Sequence, residues 1–145
     1  MSSKLEYPKK TLVNFVKHLV SLPFIILPFI PMVLLHLCIE IYQFFAFPLY
    51  GLNKFTWTKF VSFDRERLVY LKGMQWWYCA YCTYMNGILA YFVVVAGKTE
   101  EYWCNVIHKD IPGVIKQPHQ KEFAEYGNEE EFIKKLYKRE EHTIM

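Results

Sequence analysis

Absent from this 145-residue sequence are the short motifs that announce the commoner enzymes. There is no Gly-x-Ser-x-Gly elbow, no phosphate-binding P-loop, no dinucleotide fingerprint and no His-Glu-x-x-His signature. Serine is missing where a triad would need it: Ser2 and Ser3 lie in the N-terminal tail, Ser21 in an apolar run and Ser62 in a connecting strap. Excess charge of one sign is missing too. Seventeen Lys and Arg against fourteen Asp and Glu leave a formal charge of +3. With no arginine stripe and no basic–aromatic interleaving, that is too little to argue for nucleic acid. No cleavable secretory leader is evident, because the apolar run is too long and no small-x-small site follows it. Free or metal-bound thiols in a reducing compartment are therefore expected over a disulfide framework.

What the chain does have is apolar residues, 53% of the total with 19% aromatic, concentrated in the first third. Between Lys17-His18 and Glu40 no residue carries a formal charge. A spanning helix needs about 20 such residues. The following aromatics up to Tyr50 suit the headgroup zone. A mainly α protein is expected, with a membrane anchor and basic tail over 1–53, a small Cys/His domain over 54–127 and a charged amphipathic helix over 128–145. Pro23, Pro28 and Pro31 should bend the anchor. Lys4, Lys9, Lys10 and Lys17 precede it, and Lys54, Lys59, Arg65, Arg67 and Lys72 follow. The positive-inside tendency then favours a helical hairpin, bent near Pro28-Phe29-Ile30-Pro31, over one tilted, kinked span, with the soluble part facing the cytoplasm. Cys38 reads as a small buried hydrophobe. His36 and Glu40, four apart, share a helix face: either interfacial packing or a ligand or proton-relay pair.

Beyond the anchor, Gly51 to Asn53 carry turn chemistry, and TWTKFVSF suggests a short strand or extended strap at the membrane surface. Trp57, Phe60, Phe63, Trp76 and Trp77 could anchor it at the interface or form the domain core. Gly97 breaks the next apolar run, and Thr99-Glu100-Glu101 reads as a helix start. That helix would carry Cys104 and His108 on one face and end at Asp110-Ile111-Pro112-Gly113. With Cys79 and Cys82 upstream, the set is Cys-x2-Cys-x21-Cys-x3-His, spacing and donors that suit tetrahedral zinc. Iron, or an iron–sulfur cluster with one histidine ligand, would fit the same four. Buried unligated cysteines and a thiol redox pair are the competing readings. A closed site demands that the chain turn back at Gly97 or at Asn86-Gly87 into a strand pair, because one straight helix from Asn86 to His108 would be about 33 Å long. Met85 to Ala96 also reads as a buried helix, and periodicity does not arbitrate. In the tail, Asn128 should cap a helix with acids first and bases last, supported by Glu130–Lys134 and Glu131–Lys135 pairs. Phe132, Ile133, Leu136 and Tyr137 give it a narrow apolar stripe. His119 and His142 read as exposed histidines, with a fifth-ligand role for His119 as the alternative.

The words AFPLYGL, DRERLVYL, YCAYCTYMNG and TEEYWCNVIH resemble those of a group of short bacterial membrane-anchored proteins of unassigned activity, over roughly residues 45–110. The resemblance implies an anchor joined to a cysteine-bearing domain. It marks Asp64, Arg65, Tyr81, Cys82, Asn86, Gly87, Thr99, Glu100, Trp103, Cys104 and His108 as motif positions. It also implies a helical segment after Asn86-Gly87, which counts against the hairpin route to a closed metal site.

Three functional expectations follow. The first is a non-enzymatic accessory or structural subunit of a larger membrane complex. It would touch lipid and other membrane subunits but no nucleic acid, and zinc on Cys79, Cys82, Cys104 and His108 would pin its small domain. The second is a membrane-bound redox or metal-handling protein that uses the same cysteines with iron. The third is a small enzyme acting on a lipid-soluble substrate, with Cys82 or Cys104 as nucleophile near His108.

Overall fold

The computed structural model describes residues 12–71 and 73–144, without the side chains of 12–14, 66 and 139–144. Lys4, Lys9, Lys10, Lys72 and the imidazole of His142 therefore lie outside the described residues. Four helices carry the chain: α1 (Leu12–Ile26), α2 (Phe29–Leu49), α3 (Met74–Trp103) and α4 (Glu129–Ile144). Short 3-10 turns lie at Trp57–Lys59, Arg65–Arg67 and Pro118–Glu122. The described residues contain no strand, only an isolated parallel bridge between Val106 and Ala124. The mainly α expectation holds, and the expected strand pair is absent from them.

The prolines bend the N-terminal apolar run without reversing it. Pro31 sits in the first turn of α2, where a missing N–H costs nothing because that donor has no partner within the helix. Across the break, Leu27 N–H still reaches the Pro23 carbonyl at 3.0 Å and Met32 N–H the Pro28 carbonyl at 3.2 Å. The order of contacts with α3 settles the direction. His18 meets Tyr78, Phe29 meets Tyr81, His36 meets Tyr84 and then Tyr91, and Tyr50 meets Tyr102. A hairpin would reverse that order in one arm. Thus α1 and α2 form one bent rod parallel to α3, which corrects the hairpin expectation.

Two helical stretches, Phe15–Leu49 and Met74–Trp103, are long and apolar enough to cross a membrane. The most apolar window of the first is not buried within the chain at all, and that of the second only by 28%. Cys38 is accordingly exposed, on the side of α2 away from α3, rather than buried as expected.

The same geometry explains why α3 is continuous. Neither Asn86-Gly87 nor Gly97 turns the chain; each glycine instead admits a neighbour. A Cβ on Gly87 would stand 2.6 Å from the Phe60 carbonyl oxygen, and one on Gly97 would stand 2.8 Å from His119 Nδ1. Glycine is thus the residue of close approach at both levels. No helix starts at Thr99, whose hydroxyl donates back to the Val95 carbonyl at 2.9 Å. The helix ends at Trp103, before Asp110–Gly113, because Asn105 takes a left-handed conformation (φ 47) that asparagine tolerates better than most.

Because α2 and α3 are parallel, the segment between them must travel back along the pair. It does so as a strap. Phe55 packs on Phe47, Trp57 on His36 and Phe60 on Tyr91, while Val61 lies against Gly87. The strap closes the core, formed by Phe47, Val61, Ile88, Tyr91, Phe92 and Val95. Trp57 and Phe60 belong to that core, whereas Phe63 and Trp77 point outward. In α4 the cap is as expected: Glu131 N–H donates to Asn128 Oδ1 at 3.1 Å, and Lys135 pairs with Glu131 at 2.9 Å. Phe132 and Leu136 are half-buried, while Ile133 and Tyr137 stay exposed.

Candidate functional site

Two polar clusters are built on α3, one in the seam with α2 and one at its C-terminal end. The seam follows from α2's spacing. His36, Glu40 and Gln43 recur at helical intervals on the face toward α3 and meet tyrosines seven apart, Tyr84 and Tyr91. His36 Nδ1 lies 3.0 Å from the Tyr84 hydroxyl. His36 Nε2 is buried without a hydrogen bond, 3.8 Å from Glu40 Oε1. Tyr91 donates its hydroxyl to Glu40 Oε1 at 2.5 Å and accepts from the Gln43 amide. Gln43, only 2% exposed, takes the strap's Phe55 N–H on its oxygen at 2.9 Å. Each of these bonds satisfies a group whose burial alone would cost about 1–3 kcal/mol. The shared face of His36 and Glu40 is as expected, and the chemistry it performs here is to lock α2, α3 and the strap together.

At the other end, the last turns of α3 meet the 3-10 turn Pro118–Glu122. His119 Nε2 lies 2.6 Å from Glu100 Oε2, and Gln120 Nε2 donates to Glu100 Oε1 at 2.7 Å. Gln120 is 5% exposed, the other buried polar side chain besides Gln43 among the described residues. His119 is therefore bonded and half-buried, which corrects its expected exposed-loop role. The return is fixed by backbone bonds: Ala124 N–H to the Asn105 carbonyl and Ile107 N–H to the Ala124 carbonyl, both 2.9 Å. His108 follows directly. It lines a small cavity together with Gln120.

The four expected metal ligands do not come together. Cys79 and Cys82 lie on the N-terminal third of α3, Cys104 caps its far end, and His108 follows it. A continuous helix puts about 33 Å between Cys82 and Cys104. All four cysteines are free thiols; Cys82 and Cys104 are exposed and Cys79 half-buried. Among the described residues, no three Cys, His, Asp or Glu side chains surround a point at coordination distance. The sequence does not single out Tyr91, Gln43 or Gln120; Glu100 stands out only as a first-turn acid and a motif position, and His119 only as an alternative fifth ligand. Gln43 carries a signal, an amide within an apolar run. The pairing of His119 with Glu100 carries none, since the two lie nineteen residues apart. No protein-family model, curated protein or solved structure matches this chain.

Proposed function

We propose that this chain is a membrane-embedded, non-enzymatic accessory subunit, held within a larger complex by a partner subunit that covers its strap. One observation carries the reading. The strap is irregular backbone, it shows Lys54, Thr58, Lys59 and Ser62 outward, and it runs beside two helices of membrane-crossing length. From the level of Trp103 it reaches back to Gly87, about 24 Å along α3, most of a hydrocarbon core of about 30 Å. Lipid cannot satisfy such backbone, so at that depth it must lie against protein or a water-filled cavity. The outward apolar faces of α1 and α2 suit lipid and neighbouring helices. The 104–144 segment is proposed to face the cytoplasm; the basic residues do not choose the side, because Lys17, Arg65 and Arg67 lie before α3 and Lys109, Lys116 and Lys121 beyond it. A single iron centre on all four expected ligands finds no support in a continuous α3.

A photo-crosslinking residue at Lys59 or Ser62, activated in native membranes, tests the partner. A discrete protein adduct is expected. No protein adduct at either position, together with a monodisperse monomer on native extraction, would overturn the proposal. For sidedness, an impermeant maleimide applied to intact cells should leave Cys104 unlabelled, and labelling there would reverse the orientation.

A further inference from the structure

Between α3 and α4 the chain carries an apolar tip open to its surroundings. Ile111, Val114 and Ile115 are 54%, 53% and 84% exposed, three aliphatic side chains within five residues. Pro112-Gly113 sets them there. Gly113 takes a positive φ of 86, and Val114 N–H donates to the Ile111 carbonyl at 3.1 Å, as in a type II turn with proline and glycine at its middle positions. Lys109 and Lys116 flank the tip, both exposed, and Lys116 holds Asp110 at 3.2 Å across its base. We propose that this turn is a foot on the bilayer surface. Ile111, Val114 and Ile115 enter the headgroup layer of a phospholipid membrane, and the flanking lysines meet its phosphates.

Depth along α3 carries the inference, which rests on the proposed membrane embedding. From Met74 to Gly97 no residue of α3 bears a formal charge, and Lys98 is the first that does. That stretch is about 36 Å long, enough to cross a hydrocarbon core of about 30 Å. The core therefore ends near Gly97, and Glu100 lies about 4.5 Å beyond it, within a headgroup layer about 6 Å deep. The loop does not leave for solvent from there. His119 folds back against Gly97, Gln120 donates to Glu100, and Lys109, Ile111, Val114 and Ile115 stand around Gln120. The tip is thereby held beside α3 at headgroup level. Trp103, one turn past Glu100, is exposed as well, and tryptophan favours that zone.

The chemistry at that level fits lipid. A stable protein interface takes about 20–30 residues a side, far more than one turn offers. Three aliphatic side chains suit shallow insertion instead, while lysine stems lie along the apolar surface and leave their ammonium groups among the phosphates. The headgroup layer is wet, so the irregular backbone of the turn keeps the water that hydrocarbon would deny it. The strap, which runs to hydrocarbon depth, needs a protein cover; the foot does not.

The test uses the full-length chain in phospholipid nanodiscs with one spin label at a time, at Ile115→Cys, at native Cys38 or at Glu129→Cys, the other cysteines being serine. Power saturation compares collisions with oxygen, which dissolves in lipid, and with a nickel chelate, which stays in water. Cys38, on the outward side of α2, is the lipid reference, and exposed Glu129 at the start of α4 is the water reference. The label at 115 should lose nickel collisions relative to 129 and lie about 5 Å inside the phosphate level. Nickel collisions at 115 equal to those at 129, or shelter from both reagents, would overturn the foot while Cys38 still reports lipid. Water at Cys38 would overturn the membrane reading, and the foot with it. A diazirine-bearing phospholipid, photolysed with the unsubstituted protein, guards against a misfolded variant. Its adducts should map to 109–116 as well as to the helices, and adducts on the helices alone would overturn the foot.

Discussion

The seam between α2 and α3 and the cap at the end of α3 use the same four residue types, a histidine, a glutamate, a buried glutamine and a glycine, to different ends. In the seam, His36, Glu40 and Gln43 are joined through tyrosine hydroxyls, and Gly87 is met by backbone. At the cap, Glu100 touches His119 directly, and Gly97 is met by a side-chain ring that can move. Cys104 and His108, which follow the end of α3, are exposed. The seam is thus closed, each partner fixed by another. The cap is a clasp with room to rearrange. Residue type alone does not separate a rigid lock from a yielding clasp; what faces each group does.

The sharpest way to break this contrast is at the two glycines. Gly87→Ala should cost about 3 kcal/mol of stability in detergent unfolding, despite the roughly 1 kcal/mol of helix propensity alanine brings, because the strap's carbonyl cannot yield. Gly97→Ala should cost less than about 1 kcal/mol, since the His119 ring can tilt away. Equal losses at the two would erase the distinction. Tyr91→Phe comes next. It strands the Gln43 amide and leaves Glu40 without its donor, for a loss of about 2 kcal/mol in the same unfolding assay.

How much of this was legible beforehand depended on whether the deciding contact was local. The long apolar helix is read from one contiguous run, and the Asn128 cap, the Glu131–Lys135 pair and the common face of His36 and Glu40 rest on spacings of three or four residues; all are present. The direction of the anchor was not local. Three prolines announce bending, but only the ordered contacts with α3 show that the rod continues. Asn86-Gly87 and Gly97 misled because their turn chemistry is real in isolation, while here the missing side chains serve a strap and an imidazole distant in sequence. Cys79-x-x-Cys82 and Cys104-x3-His108 have ligand spacing within each pair, yet a pair says nothing about the thirty-residue helix that parts it from the other.

Two smaller effects sharpen the cap side. Asn128→Ala should fray α4 and cost about 1 kcal/mol. Hydrogen exchange should then rise at 119–125, where Lys135 holds the Glu122 carbonyl and Glu131 the Glu125 N–H, with no rise in the seam. The least effect is acid sensitivity. The Glu125 N–H, then the Lys135 ammonium, hold the Glu131 carboxyl below its ordinary value. A lowered folded-state value stabilises above the unfolded pKa and is lost as pH falls through the folded one. Exchange at 122–131 should therefore rise only below about pH 4, with little change between pH 5 and 7.

The central claim is that α3 is one uninterrupted helix that holds its two cysteine-bearing ends apart. Cys82 and Cys104 are both exposed. With Cys38 and Cys79 replaced by serine, they can carry a pair of spin labels in the full-length protein. Pulsed dipolar spectroscopy should give a single distribution centred at about 33 Å. A population below about 15 Å, out of reach for a straight α3 on the same rise per residue, would mean that the chain folds back and that all four original ligands can meet.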